Sequence, residues 1–240
     1  FRRVLFRSPA LSLLIAACGD GGSGNSTGST EVPNTVPPPD SESYNEYSVG
    51  TDHFFLNGQP FNLRAVVYVP GEPGYVPWEV EQLTDLPPDL QTRITDDLAS
   101  IKAMGANTVR FWGAPAYCYE IVRSMGGLHI LQTIWLDGAV DDFQNESFKQ
   151  RSRDYIEEVV DRIYDVYPEN DPPILAFLVG NELSEQSIRS TNAAHPDITS
   201  YNGNHFQVFD INASEAFIAE MADHLRTYEE ANYGRQSLIS

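Results

Sequence analysis

Short apolar runs of strand length alternate with amphipathic stretches of helical period from residue 61 to the last residue of the chain, and few architectures accommodate that alternation. Phe61 to Val69 (FNLRAVVYV) reads as a strand, and the Asn57-Gly58 pair in "FFLNGQP" just before it is a strong hairpin-turn signal. Leu90, Ile94, Leu98, Ile101 and Met104 recur at helical spacing, with Gly105 as the stop. Thr108 to Trp112 is a second strand, followed by a helix from about Pro115 to Met125. Leu128 to Leu136 is a third strand. Phe148, Tyr155, Ile156, Val159, Val160, Ile163 and Tyr164 then mark a long helix that stops before Pro168. Leu175 to Val179, after Pro172-Pro173, is a fourth strand. Asn212 with Glu215 is spaced as a helix cap for a stretch through Phe217, Met221, Leu225 and Tyr228, and Gln236 to Ile239 begins a fifth strand.

Strand–helix units in succession imply a parallel sheet with helices outside it. An open doubly wound sheet and a (β/α)8 TIM barrel both satisfy the pattern, but no strand is followed by a glycine-rich phosphate loop. A barrel needs eight strands and ~250 residues. This chain holds about half of one, and the pattern alone leaves both α/β architectures open.

The first 48 residues read differently. Leu11 to Ala17 is apolar but too short to cross a bilayer, and it ends in small residues before Cys18. "LIAAC" resembles a bacterial lipobox, which makes residues 1–18 a signal peptide and Cys18 the lipidated residue. Residues 1–8 (FRRVLFRS) resemble translated adapter sequence and are expected to be extraneous. Gly, Ser, Thr, Asn and Pro dominate residues 19–48, a composition suited to a disordered linker. The expected location is the bacterial cell envelope, on the outer membrane or cell surface, with membrane contact only through the lipid. With Cys18 acylated, Cys118 has no partner and reads as a buried helical residue. A net charge of -19 argues against nucleic acid as a partner.

The strand ends carry the chemistry, because ligands bind at the carboxyl ends of strands in sheets of this kind. The first strand delivers Tyr68 and a loop with Glu72, Tyr75 and Trp78. The second delivers Arg110 and Trp112, the third Trp135 and Asp137, and the fourth Asn181 and Glu182. Aromatic faces beside carboxylates and amides suit sugars, which stack through C–H faces and hydrogen-bond through hydroxyls. A 29-residue connection from Leu183 to Ile211, with Tyr201, Asn202, His205 and Phe206, is expected to overhang the same cleft.

"FFLNGQPFNLRAVVY", "IKAMGANTVRFW" and "ILAFLVGNEL" resemble the first four strands of retaining glycoside hydrolases of clan A, most of all family 2 or family 5. The resemblance covers Thr51 to Ser240, and it implies an α/β fold, a (β/α)8 TIM barrel cut off after about its fifth strand, over residues 49–240. It implies a glycosidase acting on a poly- or oligosaccharide without a cofactor or metal, with Glu182 as general acid/base and Asn181 on the sugar 2-hydroxyl. Arg110 would lie near the nucleophile, and Trp112, Trp135, Asp137, Tyr68 and Trp78 would bind substrate. Retaining hydrolysis needs a second carboxylate ~5–5.5 Å from the acid. In this clan it ends the seventh strand, a position that neither Asp137 nor Glu72 matches. Glu182 is expected to sit under aromatic cover. "LAFLVGNE" is also similar to β-1,3-glucan transglycosylases of family 72, and a non-catalytic surface glycan-binding barrel is a further alternative. A metal-dependent hydrolase is disfavoured because the five histidines show no close ligand spacing.

Overall fold

The structure is a computed structural model that describes residues 5–6, 45–71 and 73–240. Residues 1–4 and 7–44, which include Cys18 and most of the expected signal peptide and linker, and Glu72 lie outside the described residues. In chain order the elements begin with β1 (Leu5–Phe6), β2 (Tyr47–Val49), β3 (Phe54–Leu56), β4 (Gln59–Phe61) and β5 (Ala65–Tyr68). Helices α1 (Pro77–Glu81) and α2 (Pro88–Ala103) lead to β6 (Thr108–Phe111), and α3 (Ala116–Met125) leads to β7 (His129–Ile134). Then come α4 (Glu146–Tyr164), β8 (Ile174–Val179), α5 (Glu185–Ala194), β9 (Ser200–Asn202), β10 (Phe206–Phe209), α6 (Ala213–Tyr233) and β11 (Leu238–Ile239).

Local chemistry sets the boundaries. Asn57 and Gly58 both take positive φ, 51° and 71°, the backbone of a type I′ turn, and they join β3 to β4. Asn145 caps α4 by accepting from the Phe148 amide at 3.1 Å. On α6 the Asn212 side chain accepts from the Glu215 amide at 3.0 Å, and Glu215 returns the bond to the Asn212 amide at 2.8 Å.

Five strands form a parallel sheet in the order β11-β8-β7-β6-β5, which follows the sequence without the reversal that defines a doubly wound sheet. Residues paired in register share a face. Val109, Phe111, Ile130, Gln132, Ile134 and Phe177 occupy one face and are fully buried, packed against Leu90, Ile94 and Leu98 of α2, Tyr119 of α3, Ile156 and Val159 of α4, and Phe217 and Leu225 of α6. Gln132 is tolerated there because its amide takes the Tyr119 hydroxyl at 2.8 Å and donates to the Thr133 carbonyl at 2.9 Å. The other face carries Val67, Arg110, Leu131, Ala176 and Leu238 in register, and Val67 is 51% exposed. Cys118 is a buried free thiol.

Three expectations are corrected. Tyr47 and Ser48, assigned to the linker, form β2, and Asn45 donates to Asp171 at 3.3 Å. The run from Phe61 to Val69 is two strands in two sheets, divided at Asn62–Arg64. Asn107 makes the break by accepting from the Arg64 amide and donating to the Asn62 carbonyl, each at 2.8 Å. The connection from Leu183 to Ile211 is no open loop, since it contains α5 and the β9–β10 hairpin, to which β1 adds an antiparallel edge. The buried carboxylate of Asp223 accepts from the amides of Asn204, His205 and Phe206 at 2.7–3.0 Å, and so holds the hairpin against α6.

The β2–β3–β4 sheet meets the opposite end of the parallel strands. His129, the first residue of β7, lies 2.6 Å through Nδ1 from the Tyr47 hydroxyl and edge-on to Phe61. Burial lowers the His129 pKa and raises that of Tyr47, so the pair is held neutral. A histidine with a lowered folded pKa favours folding above its unfolded value of ~6.5, and that stability is lost as pH falls through the folded pKa. Urea unfolding should therefore show the native protein weakening from pH 7.5 to 5 by more than His129→Phe does. Identical pH dependence in the two proteins would remove His129 as the cause.

Candidate functional site

Strand β8 ends on Gly180, Asn181 and Glu182. The Gly180 amide continues the β7 pairing by donating to the Ile134 carbonyl at 3.0 Å. Glu182 then takes φ +50°, the left-handed region that costs a non-glycine residue ~1–2 kcal/mol. Backbone strain of this kind persists where surroundings enforce it, and it clusters at functional sites. The enforcing contact comes from the loop after β7. The Ser184 amide donates to the Gly138 carbonyl at 2.9 Å, and a Cβ at Gly138 would stand 2.9 Å from the Leu183 Cα and 3.0 Å from the Glu182 carbonyl oxygen. Only glycine lets the two loops close on each other there.

Arg110 ties three strands together on the open face of the sheet. From β6 its Nε donates to Thr133 Oγ1 on β7 at 3.1 Å, and its Nη2 donates to Asn181 Oδ1 at the end of β8 at 2.9 Å. With Oδ1 occupied, the orientation of the Asn181 amide is set by that bond. Its Nδ2 is buried and has no partner among the described residues. Leaving such a donor unmet costs ~1–3 kcal/mol, so this nitrogen is a ready contact for a ligand acceptor. Beside it Glu182 is exposed, which corrects the expectation of aromatic cover.

The aromatic residues gather one step away. Trp112 follows β6 and Trp135 follows β7, with ring centroids 5.3 Å apart and planes at 48°. Together with Trp78 of α1, Val69 and Tyr155 they line a cavity of about 520 Å³, and Trp78 is 71% exposed at its rim. Neither Asn181 nor Glu182 is among the lining residues, so the aromatic cavity and the polar cluster are separate parts of one strand-end surface.

Sequence reasoning missed Glu81, which lines this cavity and is only 8% exposed. Its Oε1 accepts from the Tyr155 hydroxyl at 2.9 Å and from Arg162 Nη1 at 3.0 Å. Burial and the neighbouring Glu81 charge push the Tyr155 phenol well up, so it stays a donor. Gly113 makes room for the carboxylate, since a Cβ there would fall 2.2 Å from Glu81 Oε2. The available signal was spacing, because Glu81 stands one helical turn after Trp78.

One expected substrate contact is not brought to the strand-end surface. Tyr68 shares the helix-covered face with Phe111, edge-on at 6.3 Å, and its hydroxyl donates to Asp97 on α2 at 3.2 Å. Asp137 is exposed at the strand end beside Gly138, and its Oδ1 accepts from the Ala139 amide at 3.0 Å, which shapes the turn. Among the described residues no cluster of His, Cys, Asp and Glu could hold a metal, and no helix is long and apolar enough to cross a membrane. No family model matches the chain, and no curated protein matches it either.

The Arg110 bridge can be tested by stability alone. Arg110→Ala should cost about 1.5–3 kcal/mol in urea unfolding, the scale of hydrogen bonds to a charged group. Asp137→Ala, at an exposed turn, should cost about 0.5 kcal/mol or less. Equal effects would show that the bridge does not hold the strand ends.

Proposed function

We propose that this chain is the N-terminal half of a (β/α)8-barrel catalytic domain that hydrolyses O-glycosidic bonds in a poly- or oligosaccharide with retention of configuration. One observation carries the reading. At the end of a buried parallel strand, Asn181 is fixed by Arg110 with its Nδ2 without a partner among the described residues, directly beside a backbone-strained, solvent-facing Glu182. The unreversed strand order and the open face bearing Arg110 support a barrel, whose interior such a face would line. The chain's resemblance to clan A glycoside hydrolases rests on the same residues.

In the proposed reaction a carboxylate outside these 240 residues attacks the anomeric carbon as its bond to the leaving oxygen breaks. Glu182 gives its proton to that oxygen. Ionised Glu182 then takes a proton from water, whose oxygen attacks the anomeric carbon and releases the enzyme carboxylate. Asn181 Nδ2 donates to a hydroxyl of the same sugar. Neither step calls for a cofactor. Acylation of Cys18 and anchoring at a bacterial envelope belong to the same proposal and rest on "LIAAC" and the polar stretch after it.

The exposure of Glu182 favours one other reading, a surface barrel that binds glycans without cleaving them, because a general acid works best from a shielded site. The complete gene product decides between them. Glu182→Gln should lower turnover ~10²–10⁴-fold on a sugar leaving group, and much less on an activated aryl leaving group. Azide should restore turnover of the aryl substrate by replacing the base-assisted water, and the 240-residue chain alone should be inactive. Equal loss on both substrates without azide rescue would remove Glu182 from the chemistry. Glycan binding by a wild-type gene product that cleaves nothing would establish the binding barrel.

A further inference from the structure

We infer that the connection from β7 to α4 positions Glu182 for proton transfer, and that Gly138 is the positioning residue that sets where the carboxyl group stands. The inference deepens the proposed reaction and rests on Glu182 as its general acid/base.

None of the described residues hydrogen-bonds or ion-pairs with the Glu182 side chain, which is exposed. Its place is therefore set by the backbone that carries it. That backbone is a short span pinned at both ends. The Gly180 amide donates to the Ile134 carbonyl at 3.0 Å, and the Ser184 amide donates to the Gly138 carbonyl at 2.9 Å. Between these two bonds, Asn181, Glu182 and Leu183 face Trp135, Leu136 and Asp137. Gly180 and Glu182 both take positive φ, 80° and 50°, so the span is bent to fit this frame.

The frame cannot relax by moving α5, the helix that follows. Ser190 Oγ donates to the Asp141 carbonyl at 2.5 Å, and Thr191 Oγ1 accepts from the Phe143 amide at 2.9 Å. At the far end of α5, His195 Nε2 lies 3.0 Å from Asp142 Oδ2. Thr191 is fully buried, so water does not compete for its bond. One connection thus grips both the span that carries Glu182 and the helix beyond it.

The grip is tightest at Gly138. A Cβ there would stand 2.9 Å from the Leu183 Cα and 3.0 Å from the Glu182 carbonyl oxygen, backbone atoms that cannot rotate aside. Any side chain at this position must push the Glu182 span outward. Proton transfer tolerates little of that. Donor and acceptor must come within ~2.6–3.2 Å, and a misplacement of ~1 Å costs ~10²-fold.

The test uses the complete gene product, an oligosaccharide that it hydrolyses, and an aryl glycoside with an activated leaving group assayed with azide. Gly138→Ala should lower kcat ~10²-fold on the oligosaccharide and less than about threefold on the aryl glycoside, with KM nearly unchanged on both. Beside Glu182→Gln, the same substitution should change kcat less than about twofold, because no transferable proton is left to misplace. A crystal structure of the Gly138→Ala protein should show Glu182 displaced by ~1 Å or more. Should that protein fail to fold, Ser190→Ala removes one exposed hydroxyl from the grip on α5. It should lower oligosaccharide turnover about threefold and be equally silent beside Glu182→Gln. The inference is overturned if both variants turn over the oligosaccharide as the parent does, or if both substrates lose equally. Losses that persist in full beside Glu182→Gln, or an undisplaced Glu182, would overturn it too. A harmless Glu182→Gln would instead remove the catalytic reading, while a displaced Glu182 would still establish Gly138 as what places it.

Discussion

Parallel strands cannot be joined by tight turns, so every connection in the five-stranded sheet must travel the length of the sheet and return. Because β5, β6, β7, β8 and β11 pair in sequence order, these crossovers cover one face and leave the other free. The burial record follows from that alone. Phe111, Ile134 and Phe177 are sealed under helices, whereas Val67 on the opposite face is half exposed. The same arrangement brings the strand ends to one edge, where Arg110, Thr133 and Asn181 meet from three strands. The candidate site is thus a product of the crossovers, and its residues need not be close in sequence.

Much of this was legible in the sequence because it depends on local rules. Asn57-Gly58 names its turn, Asn212 with Glu215 names its cap, and the four-residue spacing of Leu90, Ile94 and Leu98 names a helix face. What failed depended on contacts between distant segments. Tyr68 was assigned to the site because it ends a strand. One residue of alternation decides its face, and pairing with Phe111 turns it toward Asp97. The break at Asn62–Arg64 is made by Asn107, more than forty residues away. Glu81 escaped notice because α1 has five residues, too few to show a period, and its burial depends on Arg162 from another helix. The β9–β10 hairpin read as part of an open loop because nothing local reveals that Asp223 will hold it.

The site itself divides into a polar part and an aromatic part. Arg110 fixes the orientation of Asn181, and Gly138, having no side chain, lets its loop close on the one in which Glu182 takes a φ of 50° that an ordinary residue avoids. The aromatic part is stiffened from behind by Glu81, whose Oε1 accepts from Tyr155 and Arg162. In both parts a buried donor has no partner among the described residues: Asn181 Nδ2 in one and Trp112 Nε1 in the other. Buried polar atoms without partners are uncommon in native proteins, and two of them on one strand-end surface point to a ligand with matching acceptors.

The central claim is that the end of β8 presents Asn181 and Glu182 to a glycosidic bond. The most direct measurement is a crystal structure of the complete gene product, with Glu182→Gln blocking turnover, bound to an oligosaccharide that it recognises. The account predicts a glycosidic oxygen ~2.6–3.2 Å from the side chain at position 182, with Asn181 Nδ2 donating to a hydroxyl of the adjoining sugar. A saccharide seated elsewhere, with Asn181 Nδ2 still unpartnered, would contradict it.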